Sequence, residues 1–446
     1  MPCPRLYIAS VSLTFALGGC GPDPVATSSA SASTGDEATA SSTVSPTGGT
    51  DTGGTDTVAP VTDATSATTS TDATTTDATD TVPVTITDTT SATTGTDGTD
   101  TTDTAGTTGP APVDCGDDVQ FADAAFEAYI RDRLEIPVGP ISGAAMQTLE
   151  FINLDHPHTG DLADLAGIEC ATGVTNLFVS AQPTLTAGGL APIAALTQLK
   201  GLRLLNLPVS DLSAVSGLVA LEELDLYGSD FDDLTPIAGL KALRSLSVDE
   251  LPVDELPVAG LTKLEVLTAS ETQVSDLKPL AGLTTLTRLE LAGAPVGDLT
   301  PLAKLVNMLE LDLGGTAISD LKPLAGMKKL ADLNISKTKI SDLSPLTGLP
   351  ITLFGGNQCQ IVDVAPIASW PTPRNVVLGD NKIVEIGKLL GPAWLVPDDD
   401  CGHLFLDGNP LSAQAEKDVS TLCAKTKLEI SSPAGICGGT PGCFNP

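Results

Sequence analysis

Histidine is almost missing from this chain, with three among 446 residues, and aromatic residues make up only 3% of it. So few histidines remove the commonest general base and metal ligand from most of the molecule. Basic residues are also scarce: 22 Lys and Arg face 56 Asp and Glu, a formal net charge of -34. Nucleic acid and anionic lipid both need clustered Lys and Arg, so neither is expected as a partner. No nucleophile elbow, glycine-rich phosphate loop or His-Glu-x-x-His occurs. His156 and His158, with Asp155 and Asp161, make the one cluster of metal-like composition, and it lacks a recognised ligand spacing. Asp398-Asp399-Asp400 lacks the alternation and the glycine of a calcium loop. We therefore assign no catalytic residue, no cofactor and no metal.

Long apolar runs are absent as well. Leu6 to Leu17, after the single basic residue Arg5, is too short to span a bilayer stably and reads as a secretory signal. From Gly21 to Val113 there is no Lys, Arg or aromatic residue, and Thr, Ser, Asp, Ala and Gly dominate. Such a stretch buries too little apolar area to offset its chain entropy, so it is expected to be a disordered, acidic linker. Its reach would be roughly 50 Å.

What the sequence does have is a period. Leu212, Leu234, Leu256, Leu277, Leu299, Leu321 and Leu343, then Val364, recur every 21 or 22 residues. Each follows an acid: Asp211, Asp233, Glu255, Asp276, Asp298, Asp320, Asp342 and Asp363. A period of this size signals a solenoid. Within a unit, pairs spaced by two, such as Leu202/Leu204, Leu224/Leu226 and Leu289/Leu291, share one face of a short strand. Three residues later a small or polar residue turns inward, as at Ser229, Thr272, Thr316, Thr338, Cys359, Asn381 and Asn409. Leu207, Leu251 and Ala294 interrupt that ladder. Prolines at 236, 279, 301, 323, 345 and 366 suit the first position of a short helical turn, and the acid upstream can accept from its free amides.

This pattern resembles the bacterial internalin-like leucine-rich repeat, L-x-x-L-x-L-x-x-N-x-I-x-D-L-x-P-L, over roughly residues 118 to 430. The resemblance implies an α/β solenoid: a right-handed array of 21-22-residue units with short parallel strands on the concave face, a helical N-cap and a disulfide-linked C-cap. About ten strands are expected between Leu199 and Leu406, with less regular ones at Leu149 to Leu154 and Leu177 to Val179. Asp123 should cap a helix presenting Phe126, Ile130 and Leu134, Ser142 should start a second carrying Met146 and Leu149, and Gln414 to Leu422 should form a third. Insertions at Thr184 to Gly189 and Gly387 to Asp400 are expected to bulge as loops. Leu17-Gly18-Gly19-Cys20 resembles a bacterial lipobox, which implies lipidation of Cys20. Gly21 in place of Asp then favours the outer membrane or cell surface.

The expected organisation is a signal peptide at 1-19, the linker at 20-113, a cap and irregular first repeat at 114-170, repeats at 171-412, and a C-terminal cap with a Cys-containing tail at 413-446. Seven cysteines follow the linker. Cys359 falls on the inward ladder and is expected to be a free buried thiol. By position, Cys115 pairs with Cys170, Cys401 with Cys423 and Cys437 with Cys443, one of 15 connectivities.

Residues flanking each buried pair should point onto the concave face, which the resembled family uses for proteins or glycans. Here Arg203, Glu223, Asp225, Tyr227, Asp249, Glu265, Arg288, Glu290 and Asp312 are the candidate ligand-binding residues, in a mainly acidic stripe that also holds Glu310 and Asp332. The partner expected is another protein with a basic patch, or a surface glycan; the membrane is met through the N-terminal lipid alone. The function expected is non-catalytic recognition or adhesion from a lipid-anchored envelope protein. A structural spacer or coat lipoprotein is the alternative, and a metal-dependent enzyme using the His156 loop is the third.

Overall fold

The computed structural model describes residues 115–156, 159–371, 373–391, 402–426 and 428–437. The signal-peptide, linker and lipidation readings, Cys20 included, lie outside these residues, as do His158, Cys401 and Cys443.

The described chain is a leucine-rich-repeat solenoid. One sheet of 14 strands runs in sequence order, each strand hydrogen-bonded to the next. It begins with β1 (Phe151–Asp155), β2 (Asn176–Ser180) and β3 (Gly201–Leu205), and continues through β4 (Glu223–Asp225), β5 (Ser245–Ser247), β6 (Val266–Thr268) and β7 (Arg288–Glu290). Then come β8 (Glu310–Asp312), β9 (Asp332–Asn334), β10 (Leu353–Gly355), β11 (Asn375–Val377) and β12 (His403–Phe405). All these neighbours pair parallel, and β13 (Glu429–Ser432) joins β12 in the same sense. Strand β14 (Gly435–Cys437) turns back antiparallel to β13. The last two strands had no counterpart in the sequence reading, which stopped at Leu406.

Each coil closes because its leucines have one interior to fill. Leu224, Leu246, Leu267, Leu289, Leu311 and Leu333 stack through consecutive strands and are buried. Opposite them, short 3-10 turns such as Thr235–Gly239 and Thr300–Lys304 bury Ile237 and Leu302. Proline is the second residue of these turns and not the first. The residue before it keeps its amide, and the upstream carboxylate accepts there: Asp233 from Thr235 at 2.8 Å, Asp298 from Thr300 at 2.8 Å, Asp320 from Lys322 at 2.9 Å. Asp211, Asp276, Asp342 and Asp363 repeat the bond. Seven of the eight acids in the ladder are thus turn caps, and the eighth, Glu255, precedes a stretch with no 3-10 turn.

The inward polar ladder satisfies carbonyls at the strand ends. Thr272, Thr316 and Thr338 donate to Ala269, Leu313 and Ile335 at 2.8, 2.6 and 2.7 Å. The free Cys359 occupies the next rung, with its Sγ 3.1 Å from the Ile335 carbonyl.

Helix α1 (Ala124–Arg133) starts at Asp123, whose carboxylate accepts from Ala125 and Phe126. Helix α2 (Gly143–Met146) is one turn capped by Ser142; Leu149 lies beyond it, still buried. A disulfide joins Cys115 to Cys170, Cα atoms 5.7 Å apart. The insertion at Thr184 to Gly189 does not bulge freely: Thr186 caps a helical turn, α3 (Ala187–Leu190), that runs into the following 3-10 turn. At the second insertion, Gly387–Leu390 forms a 3-10 turn, and the remainder to Asp400 lies outside the described residues.

The C-terminal disulfides differ from the reading by position. Cys423, near the end of α4 (Ala413–Lys425), bonds Cys437 in β14, so Cys401 is not its partner and Cys443 is not the partner of Cys437. The reason is the β13–β14 hairpin, which folds back over α4 and is tied to it where Ser432 donates to Glu416 at 3.1 Å. Among the described residues no helix is long and apolar enough to cross a membrane.

Candidate binding face

Strand register decides which side chains share the open face of the sheet. At the first strand position, consecutive strands present Glu223, Ser245, Val266, Arg288, Glu310 and Asp332. At the third they present Arg203, Asp225, Ser247, Thr268, Glu290, Asp312 and Asn334. The leucine between each pair is buried, so these residues lie outward. Glu265 directly precedes β6, while Tyr227 and Asp249 follow β4 and β5 by two residues. All nine candidate face residues therefore belong to one surface.

The surface is not a uniform stripe of free acid. Arg244 lies between Glu222 and Glu265, ion-paired with both. Arg288 pairs with Glu290 on its own strand and with Glu310 on the next at 3.0 Å. The aspartates take a different role, because their shorter side chains reach nearby backbone. Asp312 accepts from the Gly314 amide at 2.8 Å and from the Asn334 side chain at 2.9 Å. Asp249 accepts from the Ser270 amide at 2.6 Å and from the Ser247 and Thr268 hydroxyls. Asp225 accepts from the Tyr227 amide at 3.2 Å, and the Tyr227 hydroxyl donates to Glu250 at 2.9 Å.

Burial and like charge act together on this face. Desolvation pushes the carboxyls of Asp249 and Asp312 above the ordinary range, against the hydrogen bonds that pull them down. Asp332 is pushed to about 6, first by desolvation and then by Glu310 and Asp312, with Arg288 opposing. The turn caps shift the other way. Side-chain and then backbone hydrogen bonds from Thr300 hold Asp298 below its usual range, and those of Asp276 and Asp342 do the same, led by the backbone bond.

The signs for stability are opposite. A lowered carboxyl contributes stability above its unfolded pKa and loses it in acid; a raised one favours the fold below its unfolded pKa and loses that as pH rises through its folded value. At neutral pH the charge on Asp332 is therefore a cost to the fold, carried on an open face. Asp332 was not among the nine candidates, although it follows Arg288 and Glu310 at the same place in the repeat.

Elsewhere the titratable groups are spread out. His156 lies 3.1 Å from Asp161. Among the described residues no group of three or more His, Cys, Asp or Glu is placed to hold a metal ion.

No family model matches the chain, and no curated protein matches it in sequence. Solved structures do resemble it. An internalin, inlF, from Listeria monocytogenes is 23% identical, with a TM-score of 0.58 over 70% of this chain and 95% of that one. An internalin C2 from the same species is 25% identical over 51% of this chain and 90% of that one, with a TM-score of 0.41. TLR13, solved in complex with the RNA ssRNA13, is 18% identical over 65% of this chain and 44% of its own, with a TM-score of 0.50. The likeness to inlF bears out the leucine-rich-repeat fold.

Proposed function

We propose that this protein is a non-catalytic recognition protein whose sheet face binds a basic surface of another protein, displayed from the bacterial envelope on a lipidated Cys20 and the 20-113 linker. The observation that carries the reading is the surplus of carboxylates on β7 to β9. Glu290, Glu310, Asp312 and Asp332 stand there around one guanidinium, that of Arg288, and Asp332 is charged at the expense of the fold. A cationic partner relieves that cost on binding, and complementary charge speeds and selects the encounter. TLR13 holds a single-stranded RNA in its complex; an acidic face repels phosphate, so protein is the favoured class here. Leu17 to Cys20 support the lipid anchor, and Gly21 supports an outer-membrane or surface location.

Footprinting tests this reading. The full-length protein is used to capture partners from envelope fractions and secreted proteins, and carboxylates of the free and complexed chain are labelled with a carbodiimide. Glu223, Glu310 and Asp332 are expected to lose labelling several-fold in the complex, while the turn caps Asp276, Asp298 and Asp320 label equally in both. Protection confined to the turn caps would overturn the assignment of the face.

A further inference from the structure

The sheet register also aligns apolar side chains that the repeat pattern did not single out. Phe151 stands at the first position of β1, Phe178 at the third of β2 and Leu205 at the fifth of β3. Tyr227 continues the line just past β4, where its carbonyl accepts from the Asn206 amide at 2.9 Å. Each step from Phe151 to Leu205 advances one strand and two residues, roughly 8 Å from the spacing and rise of a sheet. All four face outward: Phe151 is 45% and Tyr227 38% exposed, and Phe178 and Leu205 are part-exposed.

Most of the other large apolar side chains in the repeats are buried, so a diagonal of aromatic and aliphatic groups on the open face is a departure from the pattern. An open depression lined by Arg133, Glu135, Thr148, Glu150 and Phe151 extends the line at its N-terminal end. At its other end lie Glu222, Glu223 and Asp225, and Arg203 sits beside Phe178 on the next strand. At the far end of the sheet the comparable aromatic, Phe405, is already stacked on His403 at 5.8 Å. Interface energy concentrates in aromatic and Arg anchors surrounded by polar rims, and this corner combines them.

We propose that the N-terminal quarter of the sheet face, where Phe151, Phe178, Leu205 and Tyr227 form a diagonal apolar stripe ending among Glu222, Glu223 and Asp225, docks a protein segment whose apolar side chains are flanked by Lys or Arg. The inference rests on the recognition reading above and names the anchor within it. The charge order selects the occupant: apolar residues lie on the stripe, and their cationic neighbours reach the acids of β4.

The test uses the full chain and a fluorescently labelled peptide, Lys-Lys-Phe-Leu-Phe-Lys-Lys, with two controls: one in which Glu replaces every Lys, and one with a Ser-Gly-Ser centre. Fluorescence anisotropy is expected to show saturable binding of the first peptide and at least tenfold weaker binding of both controls. Phe151→Ser and Phe178→Ser should each weaken it about tenfold, and Phe405→Ser should not change it. Thermal unfolding checks each variant; if Phe178→Ser does not fold, the more exposed Phe151→Ser and Tyr227→Ser decide. Equal binding of the apolar and Ser-Gly-Ser peptides, unaffected by Phe151→Ser, overturns the stripe while leaving recognition by the acids standing. Binding lost equally in Phe405→Ser places the anchor elsewhere and also overturns it. No saturable binding by the folded protein overturns the stripe, and recognition by the face is then decided by the carboxylate footprint.

Discussion

Replacing Trp370 by Ala is expected to lower the apparent unfolding free energy by about 4 kcal/mol, the range for deleting a fully buried large aromatic. Trp370 is wholly buried; its indole N–H donates to the Leu346 carbonyl at 3.0 Å, and its ring meets Phe354 edge-on with centroids 5.1 Å apart. It therefore joins two neighbouring coils, bonding the turn after Leu343 in one and packing against strand β10 in its own. A solenoid is held by nearest-neighbour contacts, so the loss should weaken this region first. Urea unfolding measures the size, and hydrogen exchange the location: amides of β9 to β11 should lose protection before those of β4 to β6. A loss below about 1 kcal/mol would mean that the side chain does not fill the core as described.

The second large effect is expected at Asn381. Its side-chain amide donates to the carbonyls of Gly356, Leu378 and Gly379 at 2.7, 2.9 and 3.1 Å and accepts from the Ile361 amide at 3.0 Å. Leucine has nearly the same shape and none of these bonds, so Asn381→Leu leaves buried backbone groups unpaired. The expected cost is about 3 kcal/mol by urea unfolding. Thr316→Val, which removes one bond to the Leu313 carbonyl, serves as the internal scale and should cost about 1 kcal/mol. Equal costs for the two would show that the rung is filled for shape and not for hydrogen bonding.

Both positions bear on what the sequence could reveal. Asn381 and Thr316 were legible as one ladder because the period of 21 or 22 puts them at the same place in their repeats, and the turn caps were legible because an acid precedes each periodic leucine. The difference between aspartate and glutamate on the open face was not. Asp312 and Asp249 spend their oxygens on backbone amides, whereas Glu310 meets a neighbouring guanidinium, and that division depends on side-chain length against strand geometry. The C-terminal hairpin was hidden because Cys423 and Cys437 carry no sign of their pairing, and the strands they brace fall after the period has ended. Phe151 and Phe178 were hidden for a related reason. Their strands are offset from the next by 25 residues, through Phe151, Asn176 and Gly201, and a register begun at Leu199 does not extend back to them.

The choice of residues for testing the face follows from this division. Reversing Asp312 would strip caps from the Gly314 amide and the Asn334 side chain and so disturb the fold as well as the charge. Glu223 and Glu310 carry charge on the same surface at positions where the side chain is part-exposed, and Glu310 is held only by Arg288 among the described contacts.

The most direct measurement is the affinity of a captured partner for the full-length wild type and for the double variant Glu223→Lys, Glu310→Lys, followed across salt and across pH 5 to 8. Recognition by the acidic face predicts a wild-type affinity that falls as salt rises and strengthens as pH passes about 6, where Asp332 loses its proton. It also predicts at least a tenfold loss in the double variant. An affinity that is the same for both proteins, and indifferent to salt and to pH across that range, would contradict it.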